Sequence, residues 1–369
     1  MGMKRIILTG GGTAGHVTPN LAIAPYLRGS GYELFYIGSK KGIEKTLVEK
    51  AGIPYTGISS GKLRRYVNLK NITDVFRVVK GLGDAFAAIA RIRPGLVFSK
   101  GGFVAVPVVI AAKMLRIKVI IHESDMTPGL ANKLSLPFAD KICVCFPETI
   151  EHVPPGKGVF TGTPIRAELY QGNIGEARKI CGFHDSKPVV MVMGGSQGSV
   201  AINDCLRSIL PQLAKRFNII HLCGRNNRRS DLAMRGYLQF EYVSQELPHL
   251  LAYSEIVVSR AGANSISEFL ALRKPNLLIP LPLSASRGDQ ILNAQSYESR
   301  GFSMVLVEED MTPETLLAKI DELYINRKKF LQNMADSPNA DGTKDVIKVI
   351  EEVTAFTKYR NKIEQSITN

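Results

Sequence analysis

Short apolar runs alternate along the chain with stretches whose apolar residues recur at helical spacing. Residues 6–9, 34–37, 96–99, 119–121 and 142–146 form the runs, and residues 19–28, 43–51, 75–91, 104–115 and 130–136 form the helical stretches. Runs of this length suit strands buried on both faces, and a helix between successive strands is the crossover that parallel pairing requires. The front half therefore predicts a parallel sheet covered on both sides. The same grammar then restarts, with strands at 189–193, 219–223, 256–259, 277–279 and 304–307 and helices near 202–216, 265–272, 290–300 and 313–324. The expected fold class is α/β, with two doubly wound Rossmann-like domains. Pro154, Pro155, Gly156 and Gly158, followed by Gly162 and Pro164, read as a linker and give domains at 1–163 and 164–342. Val346, Val349, Ile350, Val353 and Phe356 then mark a long helix over about 343–369, able to return to the first domain.

Composition excludes several classes. The 369 residues are 45% hydrophobic and 22% charged, the usage of a globular chain rather than a disordered or collagen-like one. The longest apolar stretch, 103–112, falls well short of the roughly 20 residues a membrane span needs. Charge is more informative. The net charge is +14, and up to Ile165 there are 22 basic residues against 10 acidic ones, so the excess belongs to the first domain. Such a domain is expected to meet something anionic and extended, either nucleic acid or an anionic membrane surface. No nucleic-acid recognition module accompanies the charge, so nucleic acid is not expected as a partner. Cys143, Cys145, Cys181, Cys205 and Cys223 include no C-x-x-C pair and no secretory segment precedes them. They read as packing thiols of a reducing, cytoplasmic protein.

The candidate chemistry sits where apolar runs end. The first strand leads into Gly10-Gly11-Gly12-Thr13-Ala14-Gly15-His16, with Pro19 opening a helix behind it. Glycines let the backbone turn tightly and approach a ligand, while a helix start presents unpaired N–H groups to an anion. A dinucleotide is not expected there, because the second strand ends Ile37-Gly38-Ser39 without the acidic residue that would hold a ribose. The device recurs at Gly194-Gly195-Ser196-Gln197-Gly198-Ser199 and at Lys100-Gly101-Gly102-Phe103. Phosphate cradles in both domains suit an enzyme whose two substrates each carry phosphate.

A fourth turn runs Ser259-Arg260-Ala261-Gly262-Ala263-Asn264-Ser265-Ile266-Ser267-Glu268. Here Ser265 and Glu268 have capping-box spacing, a purely structural role. The functional alternative is a helix start that receives a diphosphate while Glu268 accepts from vicinal ribose hydroxyls. Gln290, beside Asp289 at another helix start, can both donate to and accept from sugar hydroxyls. His16, Glu123 and Asp125 are the candidate general bases, the last two lying in His122-Glu123-Ser124-Asp125 at the end of a strand. No Asp-x-Asp chelator occurs, so no metal is expected.

In combination these motifs resemble the MurG family of glycosyltransferases over essentially the whole chain. The likeness is carried by Gly11 to Val17 with Pro19, Gly101-Gly102-Phe103, His122-Glu123, Gly162-Thr163-Pro164-Ile165-Arg166, Gly194 to Gly198, Ser259 to Glu268, and Asp289-Gln290 with Asn293-Ala294. The resemblance implies a GT-B architecture with two domains facing a central cleft. It implies inverting transfer of N-acetylglucosamine from UDP-GlcNAc to the C4 hydroxyl of a lipid-linked muramyl pentapeptide, with no cofactor.

By position, Arg166, Gly195, Ser196 and Gln197 then correspond to donor-binding residues, and Tyr242 and Val243 to the segment that meets uracil. Ala263, Asn264, Ser265, Ile266 and Ser267 correspond to the diphosphate-facing helix start, Glu268 to the ribose acceptor and Gln290 to the reader of GlcNAc. Thr13, Ala14, Gly15 and His16 correspond to the place where donor and acceptor meet. Gly12, Gly101, Gly102 and Phe103 join His16 on the acceptor side. Four positions depart from the family pattern. Ser124-Asp125 stands where Gln-Asn is usual, which makes Asp125 a donor-binding or basic group in place of an amide. Thr163 replaces an asparagine, and Ala14 a glycine.

The resemblance also gives the basic excess a purpose. Lys62, Arg64, Arg65, Lys70, Arg77, Lys80, Arg91 and Arg93 interleave with Val75, Phe76, Val79, Leu82, Phe86 and Ile89, and Met114 to Lys118 adds to them. Cations attract anionic headgroups while apolar residues insert, so peripheral attachment to the cytoplasmic face of the cell membrane is expected. An ordinary amphipathic helix with a solvated basic face is the plainer alternative. Other cell-wall synthesis enzymes are further partners that the resemblance brings in. Two rival functions keep the fold: a glycolipid synthase with another lipid acceptor, and a catalytically idle paralogue that binds sugar nucleotide.

Overall fold

In a computed structural model of the chain, the backbone is described for residues 4–61, 70–195 and 198–367, and side chains for 5–61, 78–195 and 198–355. Ser196, Gln197, Lys62, Arg64 and Arg65 lie outside the described residues, as do the side chains of Lys70, Val75, Phe76, Arg77 and Phe356. The chain forms two units, Met1–Arg166 with Asp341–Asn369, and Ala167–Ala340.

The first unit holds seven strands: β1 (Lys4–Thr9), β2 (Tyr32–Ser39), β3 (Tyr55–Ile58), β4 (Leu96–Ser99), β5 (Lys118–Glu123), β6 (Lys141–Val144) and β7 (Gly158–Phe160). They pair in parallel in the order β3-β2-β1-β4-β5-β6-β7, with Ile6 beside both Leu34 and Leu96. Alternate residues of β1 serve two cores. Ile7 packs with Val97 and Val119 under the helices Lys70–Ile92 and Ala105–Met114. Ile6 and Leu8 pack on the other face with Ile23 and Leu27 of the helix Thr18–Gly29. Both faces being covered is why the strand reads as a continuous apolar run rather than an alternating one. The terminal helix Thr343–Ile367 returns to this unit, placing Val346, Val349 and Ile350 in the second of these cores. The Tyr32 hydroxyl lies 2.9 Å from Thr354 Oγ1.

The second unit holds β8 (Val189–Met193), β9 (Asn218–Leu222), β10 (Tyr237–Phe240), β11 (Ile256–Ser259), β12 (Asn276–Leu278) and β13 (Ser303–Val305), all parallel, in the order β10-β9-β8-β11-β12-β13. Its core joins Val190, Val192, Ile219 and Val258 to Leu206, Ile209 and Leu210 of the helix Val200–Leu213 and Leu316, Ile320 and Leu323 of the helix Pro313–Ala335. Each sheet changes its direction of winding once, between β1 and β4 and between β8 and β11. At such a point the loops after the two strands leave in opposite directions and open a crevice at the carboxyl edge.

The structure differs from the sequence expectation at the sheet edges. The turn-rich segment expected to link the domains instead contributes β7, whose Gly158 and Phe160 pair with Ile142 and Val144. The chain leaves the first unit only after Arg166. β3 and β10 are further edge strands, and Ile174–Cys181 and Leu247–Tyr253 are further helices.

Candidate active site

The glycine loop after β1 lies at the first unit's switch point and is braced from below. Tyr36, fully buried, donates its hydroxyl to Gly10 O at 2.8 Å, and Asn20 Nδ2 donates to Thr9 O at 3.1 Å. Glu44 is equally buried and accepts from the Gly12 amide (3.3 Å), the Ser39 amide (3.0 Å) and the Ser39 hydroxyl (2.5 Å). Sequence reasoning missed Glu44, which sits on a helix start that reads as ordinary surface. Its effect is that the Gly12 amide is already committed to a carboxylate. Thr13 and His16 meet across the loop, Thr13 Oγ1 to His16 Nδ1 at 3.0 Å, and Ala14, Gly15 and His16 form one helical turn leading into Thr18–Gly29.

The loop after β4 comes directly against it. Gly101 and Gly102 have φ values of +91° and +84°, a conformation that glycine adopts without strain. A Cβ on Gly102 would lie 2.3 Å from Gly11 O, so only glycine allows this approach. Phe103 follows at the start of the next turn.

Lys100 precedes these glycines. It is 2% exposed, and its ammonium donates to the Ser124 hydroxyl. Burial depresses its proton affinity, while Cys145, Glu123 and Asp125 oppose that effect.

The loop after β5 completes the first unit's crevice. Glu123 Oε1 accepts from the Ser124 and Asp125 amides at 2.8 and 3.0 Å. Its Oε2 accepts from the Gly129 amide at 3.2 Å and from Asn132 Nδ2 at 2.8 Å. Four donors on a carboxylate that is 4% exposed make it the strut of the 124–129 loop. Both oxygens of this expected base thus already accept from the protein. Burial, then the nearby Asp125, push its carboxyl up from the ordinary range. His122 is buried and neutral: burial and Lys100 hold it well below the ordinary histidine range, and its Nε2 lies 3.1 Å from Gly162 O. Asp125 and His16 are both partly exposed. Cys143 and Cys145 are buried thiols pushed up to about 12 by burial, and Thr163 donates to the Cys145 sulfur at 2.9 Å.

In the second unit, Gly194 to Ser199 follows β8, and Gly195 and Gly198 have φ values of +83° and +79°. A Cβ on Gly198 would lie 2.1 Å from Cys223 O, so Gly198 is pressed against the end of β9. Ser199 caps the helix Val200–Leu213 by accepting from the Ile202 amide. Arg260, 8% exposed, ties four segments together. Its guanidinium donates to Ser199 Oγ at 2.6 Å and to the carbonyls of Ile279 and Pro280 at 3.1 and 3.2 Å, and pairs with Glu308. Sequence reasoning quoted Arg260 within a motif without giving it this task.

The helix Ala263–Ala271 has Gly262 as its N-cap and no capping side chain, and its first internal bond runs from the Ile266 amide to Gly262 O. The amides of Ala263, Asn264 and Ser265 precede that bond and form the amino end of the helix. Ser265 lies inside the first turn, which removes the capping-box reading of Glu268. Glu268 is partly exposed one turn further on, and Ser267 is buried with its hydroxyl donating to Ala263 O. Asn293 Nδ2 donates to Ala261 O at 3.4 Å, bringing the helix Asp289–Ser299 to the same edge. Gln290 uses its oxygen to accept from the Leu281 amide at 3.2 Å and so supports the 281–288 loop. Tyr242, 61% exposed, and Val243, 7% exposed, follow β10 at that edge. Arg166 is the last residue of the first unit's long segment.

Residues 6–144 match the glycosyltransferase family 28 N-terminal domain, and residues 189–350 match the family 28 C-terminal domain. A Clostridium tetani protein described as a UDP-N-acetylglucosamine--N-acetylmuramyl-(pentapeptide) pyrophosphoryl-undecaprenol N-acetylglucosamine transferase is 57% identical over 349 residues, covering 94% of this chain and 98% of its own. A Lachnospira eligens protein of the same description is 57% identical over 351 residues, 95% of this chain and 99% of its own. Among solved structures, Acinetobacter baumannii MurG shares the fold with a TM-score of 0.75 at 24% identity, over 95% of this chain and 99% of that one. Matches to both domains and relatives of this identity over nearly the full length lead to one assignment: the chain belongs to glycosyltransferase family 28, in its MurG family.

Proposed function

We propose that the protein transfers N-acetylglucosamine from UDP-GlcNAc to the C4 hydroxyl of an undecaprenyl-diphosphate-linked muramyl pentapeptide, with inversion at the anomeric carbon. The observation that carries this reading is full-length identity of 57% to proteins described as that transferase. The carboxyl-edge loops of each sheet are consistent with two phosphate-bearing substrates.

In this reading the second unit takes the donor. The first-turn amides of Ala263, Asn264 and Ser265 receive the diphosphate and stabilise the charge that develops on departing UDP. Glu268 accepts from the ribose hydroxyls, and Val243 with Tyr242 meets uracil. Gln290 is left with its amide nitrogen for the sugar. Arg166, Ser196 and Gln197 are kept as donor residues. The first unit takes the acceptor through Gly12, Gly101, Gly102 and Phe103. His16 or Asp125 removes the C4 hydroxyl proton, the oxygen attacks C1 of GlcNAc, and the C1–O bond to the diphosphate breaks.

No helix among the described residues is long and apolar enough to cross a membrane. We assign peripheral attachment at the cytoplasmic face to the first unit, where Val79, Phe86 and Met114 are 63%, 38% and 61% exposed and exposed Lys80, Arg91, Lys113 and Arg116 accompany them in sequence.

The test is UDP release from UDP-GlcNAc with a short-chain lipid I analogue. Turnover that needs the analogue supports the reading. Turnover only with diacylglycerol points to a glycolipid synthase, and donor binding without turnover to an idle paralogue.

A further inference from the structure

We infer that the second unit carries a binding site for a small phosphate ester at the amino edge of its sheet, the edge opposite the one given to the donor. A cavity of about 430 Å³ opens there, a volume typical of small-molecule sites. Val189 begins β8, Glu255 directly precedes β11 and Pro275 directly precedes β12, and all three line it. The helices Ile174–Cys181, Leu247–Tyr253 and Pro313–Ala335 add Arg178, Tyr253 and Arg327 to its wall.

Five cations line this cavity against two carboxylates, and both carboxylates are engaged. Asp185 accepts from Asn218 Nδ2 at 2.6 Å and lies 3.8 Å from Lys187 Nζ, which also donates to Ala214 O. Glu255 lies 3.2 Å from Arg327 Nε. Lys274 Nζ donates to Ser254 O at 2.9 Å and to Ala252 O at 3.3 Å, which leaves one of its N–H groups. Burial brings Lys274 down only to about 8, so it is charged at neutral pH. The guanidiniums of Arg178 and Arg273 have neither a hydrogen-bonded nor an ion-paired partner among the described residues. That of Arg178 stands 5.8 Å from the centre of the Tyr253 ring.

The backbone of Arg273 is a second, independent observation. It follows the helix Ala263–Ala271 with a φ of +50°, its amide donating to Leu270 O and the Lys274 amide to Phe269 O. That pair of bonds closes a helix around a left-handed residue, a place glycine takes without strain. This chain has arginine there, a strained backbone that brings a guanidinium to the cavity. A cation suits the carbonyl end of a helix in any case, but that role requires neither a cavity nor a second guanidinium lining it.

The ligand class follows from these groups. A guanidinium presents paired N–H donors that match a phosphoryl group. Two of them with an ammonium exceed what one carboxylate neutralises, whereas a phosphate monoester is close to a dianion at neutral pH. Ile174 and Leu331, large apolar side chains that are exposed, line the same space as the Tyr253 ring. The other half of the ester is therefore apolar or aromatic.

Phenyl phosphate is the probe, with inorganic phosphate and benzoate as the comparison ligands. In 15N-labelled protein, the Nε–H signals of Arg178 and Arg273, assigned by their loss in Arg178→Gln and Arg273→Gly, report on this cavity and not on the carboxyl edge. Both signals are expected to move and saturate together, with a Kd about tenfold or more below those for inorganic phosphate and benzoate. Arg273→Gly relieves the strained backbone, so it should melt no lower than the parent, yet bind phenyl phosphate about tenfold or more weakly, followed on the Arg178 signal. Arg178→Gln should weaken binding to a similar extent, followed on the Arg273 signal. Equal affinity for inorganic phosphate or for benzoate overturns the ligand class. Signals that stay still or never saturate overturn the site, as does unchanged affinity in Arg273→Gly.

Discussion

The Glu44 carboxylate accepts the Gly12 amide at 3.3 Å and the Ser39 amide at 3.0 Å, joining the glycine loop after β1 to the end of β2. The carboxylate is wholly buried, while the donors at Gly12 and Ser39 are only part-buried. Each buried donor left unmade costs about 1–3 kcal/mol. Glu44→Ala removes the acceptor of three part-buried donors and is expected to lower unfolding free energy by about 1–2 kcal/mol, read by urea titration. KM for the lipid acceptor should rise while KM for UDP-GlcNAc stays within about twofold. An equal rise in both would contradict the assignment of this loop to the acceptor.

Gly12 and Gly102 share a left-handed backbone and differ in what surrounds them. Gly12 has a φ of +89° and no heavy atom within 4 Å of an added Cβ, whereas Gly102 would place its Cβ 2.3 Å from Gly11 O. Gly12→Ala should therefore cost only backbone strain, about 1 kcal/mol, and Gly102→Ala strain plus displacement of a neighbouring backbone, about 3 kcal/mol or more. Activity should not follow that ranking. A methyl on Gly12 projects into the space given to substrate, so a tenfold or greater loss of acceptor turnover is expected from a protein that melts almost as the parent does. Full activity in Gly12→Ala would remove this loop from the acceptor site.

Glu268 lies in the second turn of a helix whose N-cap is Gly262, so its carboxyl has no capping role to lose. Glu268→Gln is expected to change stability by less than about 0.5 kcal/mol, the usual range for such positions. Donor affinity should fall by about tenfold, since the amide has one accepting atom where the carboxylate has two, and no charge. Calorimetric titration with UDP decides it. Stability loss without affinity loss would return Glu268 to a structural role.

Where the sequence was legible depended on burial. β1, β4, β8 and β11 are buried along nearly their whole lengths, which leaves continuous apolar runs. β3, β7 and β10 are short edge strands, each with three partly exposed residues, so they carry no such run, and β7 is further disguised by its proline- and glycine-rich approach. The glycine loops could be found because positive φ and close approach demand glycine itself. Glu44, Glu123 and Arg260 could not be assigned their tasks, because each acts on backbone groups brought to it only by folding. Ser265 and Glu268 show the reverse case, a spacing that matched a capping box until the helix proved to begin at Ala263.

His221 offers a pH test of the second unit alone. It is buried between Asn203 and Tyr237, with Nε2 2.9 Å from Asn203 Oδ1 and Nδ1 2.8 Å from the Tyr237 hydroxyl, and Asn203 in turn donates to Cys223 O beside the Gly198 turn. Burial, with a smaller contribution from Arg207, pushes its pKa down to about 3. An unfolded histidine takes up its proton near 6.5. Between those values the unfolded chain binds a proton that the folded one does not, so stability is complete above about 6.5 and falls as pH drops toward 3. The slope from this one group is about 1.4 kcal/mol per pH unit. His221→Asn removes the titration along with some hydrogen bonding. Its absolute stability is expected to be lower at every pH, but the slope of unfolding free energy between pH 6 and 4 should become shallower by about one proton. Parallel curves for parent and variant would mean that His221 is already charged in the folded protein.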